Sequence, residues 1–241
     1  MSLFLAQLKS EVRLVLRNGE QLLLTLGIPV LMLTFFSLVD VLPTGVDDPV
    51  DFLAPGVLAL AVMSTAMVSL GIATGFERSY HVFKRLGLTP LGTPRLVAAK
   101  IATVMIVELI QFAVLVPVGL VLGWRSSGGQ WGLAVLAVLL GTAAMGGVGL
   151  TIAGRLRAEL NLAAQNALYL VLMLMSGMVF PLGELPLAMR GVSRALPSTA
   201  LADLVREGLS NAGTRPGFSL AVLAVWAFVA PIVAAISFRW D

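Results

Sequence analysis

Runs of about twenty or more apolar residues recur six times in this 241-residue chain, at roughly 21–40, 53–75, 97–122, 132–154, 162–182 and 218–238. Each is long enough to cross the roughly 30 Å hydrocarbon core of a bilayer. A soluble core of this size could not bury all six, and a mean hydropathy of +0.96 agrees. The expected fold is therefore an all-α integral membrane protein, with one transmembrane domain over 1–241 and six transmembrane helices. Pro29, Pro117, Gly146, Gly147, Gly149 and Pro231 fall inside these runs, where membrane helices tolerate them better than soluble ones do.

The N-terminal segment is too polar to span. Leu5, Leu8, Val12 and Val15 repeat at helical spacing among Lys9, Glu11, Arg13 and Arg17, which predicts an amphipathic interface helix over 1–19. The alternative is a frayed extension of the first span. A signal peptide is not expected: the charged lead is long and no small-residue cleavage site follows.

Lys and Arg set the expected orientation. With the N-terminus inside, eleven of the sixteen basic residues lie on the cytoplasmic side and five outside, four of those five in the loop between Gly183 and Gly217. The positive-inside rule then puts both termini in the cytoplasm. The same rule explains a pI near 9.8 better than nucleic acid does, because the cations are scattered between apolar segments. With no cysteine, disulfides and thiolate chemistry are excluded. His81, the only histidine, has no second histidine or cysteine with which to form a typical metal site, so no metal site is expected. No nucleophile–histidine pair suggests catalysis. No G-x-x-x-x-G-K-[ST] run occurs, so the chain has no phosphate-cradling loop of that kind.

One polar stretch interrupts the apolar pattern. Phe76 to Lys100 holds Glu77, Arg78, Lys84, Arg85, Arg95 and Lys100, in a chain whose residues are only 12% charged. It is the expected place for contact with a water-soluble partner, or else a basic loop that only sets topology. A second unusual segment, 176–209, is too polar and proline-rich to span and too apolar for a plain loop. Pro181, Pro186 and Pro197 are expected to cut it into short helices, giving a re-entrant outer segment over 183–215. Within the spans, Glu108 and Gln111 share a face one turn apart, and Asn161, Gln165 and Asn166 open the fifth run. Both sets are read as path-lining or helix-fastening groups. Gly71-x-x-x-Gly75 and the glycines of 141–151 are read as close-packing faces.

These features together resemble the membrane subunits of ABC type-2 exporters. In that family a Glu-Arg pair ends the second span, followed by a short helix, a Thr-Pro turn and a Lys opening the third. Here these are Glu77-Arg78, Lys84-Arg85-Leu86, Thr89-Pro90-Leu91 and Lys100. Ser176-Gly177, Pro181, Pro186, Pro197 and Arg206 look like the family's hairpin before the last span. Where the family often has a second acid and Gly-Thr after Glu-Arg, this chain has Ser79-Tyr80-His81-Val82.

The resemblance implies that 76–96 is a cytoplasmic coupling loop whose working helix, Val82–Leu88, docks on a separate P-loop ATPase. Phe83, Leu86 and Leu88 would be apolar anchors, and Lys84 and Arg85 the charged rim. Glu77 would tie the loop down by an ion pair with Arg13, Arg17 or Lys100. It further implies two ATPase copies that bring ATP and Mg, and a second permease, identical or related, with the chain itself binding no cofactor. The setting would be a bacterial inner (plasma) membrane, and the cargo a drug, lipid or glycolipid. The alternatives are a gradient-driven transporter using Glu108, or a membrane assembly factor without an ATPase.

Overall fold

The computed structural model describes residues 3–39, 48–87, 92–127, 129–210 and 216–237. Its elements are helical: α1 (Leu3–Arg17), α2 (Gly19–Leu38), α3 (Pro49–Met63), a π-helical stretch (Ser64–Ser69), α4 (Leu70–Ser79), α5 (Val82–Gly87), α6 (Thr93–Val121), α7 (Trp131–Ala153), α8 (Ala158–Met175), a 3-10 turn (Leu182–Glu184), α9 (Leu187–Ser193), α10 (Pro197–Ser210) and α11 (Pro216–Ser237). Six helical rods are long and apolar enough to cross a membrane: α2, the continuous Pro49–Ser79, α6, α7, α8 and α11. The protein is a multi-pass membrane protein. Because successive spans alternate in direction, α1, α5 and the α7–α8 turn share one end of the bundle. The α6–α7 turn, α9 and α10 share the other.

Local chemistry explains the breaks. Asn18 separates α1 from α2, its side-chain oxygen accepting from the Gln21 N–H at 3.2 Å, as an N-cap does. α8 stops at Met175, seven residues before the apolar run ends. There Gly177 takes φ +73°, and the Ser176 hydroxyl donates to the Met173 carbonyl at 2.9 Å while accepting from the Met178 N–H at 3.2 Å. Pro181 and Pro186 precede the 3-10 turn and α9, and Pro197 opens α10.

Pro49–Ser79 is the hub, with 67% of its most apolar stretch buried against 11% for α2. Its neighbours approach closely wherever a side chain is missing. A Cβ on Gly147 of α7 would lie 2.4 Å from the Pro231 nitrogen of α11, and one on Gly149 would lie 2.5 Å from the Met67 carbonyl oxygen. Small residues make such helix contacts possible in a bilayer, where apolar burial alone favours no partner. α10 packs along the first half of α7, with Gly208 against Ala134 and Leu201 against Gly141. Leu201 therefore lies some ten residues, about 15 Å, along α7 from its start.

Candidate functional site

The polar stretch folds into a turn fastened from inside the bundle. α4 ends at Ser79, and His81 reverses the chain in the left-handed region at φ +59°, which histidine tolerates better than bulky β-branched residues. The lone histidine is exposed and has a backbone role. α5 follows, and Gly92 at φ +72° leads into α6.

Lys100, 1% exposed, holds the turn. Its Nζ lies 2.6 Å from Glu77 Oε2 and 3.1 Å from the Glu11 carboxylate, and 5.7 Å from the centre of the Phe83 ring. Gln7 donates to Glu11 Oε1 at 2.8 Å. Three elements far apart in sequence, α1, α4 and α6, therefore converge on one ammonium. Of the partners expected for Glu77, Lys100 is the one found. Glu11 is not among those expected partners: in the sequence it is one charge interspersed with Lys9, Arg13 and Arg17, and nothing local marks the cation it faces. Arg78 donates to the Ala153 and Leu156 carbonyls at 3.3 and 3.4 Å, tying the same turn to the end of α7.

The expected docking face needs one correction. Phe83 does not point outward as an anchor: it is 1% exposed and packs on Leu96, with Leu86 half-buried beside them. The outward surface of the turn consists of Tyr80, His81, Val82, Lys84 and Arg85. Leu88 and the Thr89-Pro90-Leu91 turn lie outside the described residues.

Most of the polar residues within the spans hydrogen-bond from one helix to another. Pro29 has no N–H to give the Thr25 carbonyl one turn earlier, and Gln111 Nε2 donates to that oxygen at 2.9 Å. Gln111 Oε1 accepts from the Thr65 hydroxyl at 3.0 Å. Glu108 receives the Thr142 hydroxyl at 2.6 Å, linking α6 to α7. Asn161 donates to the Gly71 carbonyl and Gln165 to the Gly149 carbonyl, each at 2.8 Å. Gly71 and Gly75 make room for these amides: a Cβ there would sit 2.1 and 2.3 Å from the Gln165 and Asn161 nitrogens. Asn166 instead is exposed, bonded back to the Leu162 carbonyl at 2.9 Å. With Tyr169 it edges a groove of about 710 Å³ between α2, the hub rod and α8.

At the opposite end, Arg206 of α10 donates to the Gly177 carbonyl at 3.0 Å and stacks its guanidinium 4.1 Å over Phe52. On the same helix the Asp203 carboxylate accepts the Ser219 hydroxyl of α11 at 3.1 Å. Ser193 and Thr199 both reach the Met175 carbonyl. The hairpin is thus anchored to the end of α8 at several points.

Comparison with known proteins places these features in a family context. The model of a family described as "ABC-2 type transporter" matches residues 2–209. A protein of Bacillus subtilis (strain 168) named "Putative transport permease YvfS" is 26% identical over 216 residues, covering 86% of this chain and 87% of that protein.

Proposed function

We propose that this chain, which belongs to the ABC-2 type transporter family, is the permease subunit of an ATP-driven exporter. The observation that carries the reading is the α4–α5 turn. Its inner side is fixed by Lys100 and Phe83, and its outer side offers Lys84 and Arg85 beside the exposed Tyr80 and Val82. A rigid turn with an apolar and basic surface suits a contact that must transmit force rather than yield to it. The positive-inside distribution of Lys and Arg supports a cytoplasmic position for it.

The energy source would be a separate P-loop ATPase subunit in two copies, bringing ATP and Mg, since the 241 residues contain no Walker cradle. Two permeases, identical or related, would pair. The groove edged by Asn166 and Tyr169 is the candidate surface for the path between them, and its apolar walls favour an amphipathic or hydrophobic cargo. The polar groups deeper in the bundle act as fasteners, and α10, packed along the first half of α7, supports a re-entrant outer segment.

The test is affinity purification of the full-length protein from native membranes. A P-loop ATPase should co-purify with the wild type and be lost from Lys84→Ala/Arg85→Ala at unchanged permease yield. An active, purified chain with no ATPase partner would overturn the reading.

A further inference from the structure

We propose that the groove between α1 and α6 is a binding site for an anionic phospholipid of the leaflet at this end of the bundle. The groove has a volume of about 620 Å³, with a floor of Leu5, Leu8, Val12, Leu16 and Ile106. Lys9, Arg13 and Arg17 border it, and all three are exposed. They stand four residues apart, so they form one stripe along α1. Among the described residues no carboxylate pairs with any of them: the two ion pairs found both belong to Lys100.

Glu11, the one acid on α1, is unable to neutralise the stripe. It lies two residues from Lys9, about 200° around the helix, and is buried against Lys100. The next acid, Glu20, borders the groove on the other side of α2. Three cations with no carboxylate partner among the described residues, beside an apolar floor, match a molecule with a phosphate head and acyl tails. A free phosphate would satisfy the cations and leave Leu5 and Leu16, 51% and 46% exposed, uncovered. A zwitterionic lipid would cover the floor while its own ammonium opposed the stripe.

α1 is therefore two-sided. Its outward stripe would hold lipid phosphate, and its inward Glu11, braced by Gln7, holds the lysine that fixes the α4–α5 turn. Lipid occupancy would steady α1, and through Lys100 the turn. This last consequence rests on the coupling reading above, whereas the lipid site itself does not.

The experiment is native mass spectrometry of the full-length protein in detergent, titrated with phosphatidylglycerol or with phosphatidylcholine of the same acyl chains. The wild type should prefer phosphatidylglycerol by roughly tenfold to a hundredfold, from three basic side chains near an anionic headgroup. Lys9→Gln/Arg13→Gln/Arg17→Gln should lose most of that preference. Arg155→Gln/Arg157→Gln, a charge loss in the α7–α8 turn at the same end, and Lys9→Arg/Arg13→Lys/Arg17→Lys should both keep it. Equal binding of the two lipids by the wild type overturns the proposal, as does equal loss in the Arg155/Arg157 variant. Displacement of phosphatidylglycerol by millimolar inorganic phosphate would make this a simple anion site and also overturn it. Should the triple glutamine variant fail to fold, the wild-type ratio and the charge-retaining variant still decide.

Discussion

Lys100 holds Glu77 at 2.6 Å across 23 residues of sequence, its ammonium all but sealed from solvent. The pair closes the polar stretch into a loop whose two ends are bonded. Removing the lysine leaves Glu11 and Glu77 facing each other without their cation. Lys100→Met should therefore destabilise the protein by about 3–5 kcal/mol, the usual cost of stranding a buried charge. In thermal unfolding in detergent, Lys100→Met/Glu77→Gln should lose clearly less than the sum of the single losses.

Phe83 and its neighbours Lys84 and Arg85 should separate cleanly. Phe83→Ala empties a filled site, at about 3–5 kcal/mol for a large core residue, and should expose 76–96 to limited proteolysis. Lys84→Ala/Arg85→Ala should leave stability within about 0.5 kcal/mol, as surface changes do, while removing the ATPase partner. Loss of the partner without proteolytic sensitivity is the signature of a docking residue.

Gln111 should matter because of a proline in another helix. Gln111→Leu leaves the Thr25 carbonyl and the Thr65 hydroxyl without their partner, at about 1–3 kcal/mol. Pro29→Ala restores an N–H that can take the Thr25 oxygen, so Gln111→Leu should cost measurably less in that background. A double-mutant cycle read by thermal melting checks this; strict additivity would contradict the pairing.

The approach of α7 to α11 leaves no room for a methyl group at Gly147. Gly147→Ala must push apart two backbones at Pro231 and should cost about 1–3 kcal/mol. Gly132→Ala, with nothing within 4 Å of its added Cβ, should be close to neutral in the same assay.

Much of the fold was legible because membrane physics writes it plainly. Six apolar runs announce six rods, and the prolines at 181, 186 and 197 mark where the short helices between α8 and α11 begin. The Glu77–Lys100 pair was one of three options, and the structure selects the lysine. What sequence concealed was direction and distance. α5 has six residues, too few for periodicity to define an inner face, so Phe83 looked as free to dock as Lys84. Glu11 sits in a charged pattern that implies water, yet it faces a buried cation contributed 89 residues later. The partner of Gln111 is a carbonyl freed by Pro29, a vacancy visible locally whose occupant is not. The early end of α8 turns on Gly177 adopting a positive φ, which one glycine among 24 does not advertise.

The π-helical stretch at Ser64–Ser69 sets a phase between the two halves of the hub. An i→i+5 turn amounts to one residue inserted into an α-helix, so everything below it is rotated by about 100° and displaced by about 1.5 Å relative to an uninterrupted rod. Thr65, at the insertion, meets Gln111, whereas Gly71, Gly75 and Glu77 below it meet Gln165, Asn161 and Lys100. Relaxing that turn to α would dial all three away from their counterparts at once. The span is a crankshaft with its throw built in, and the throw is one residue.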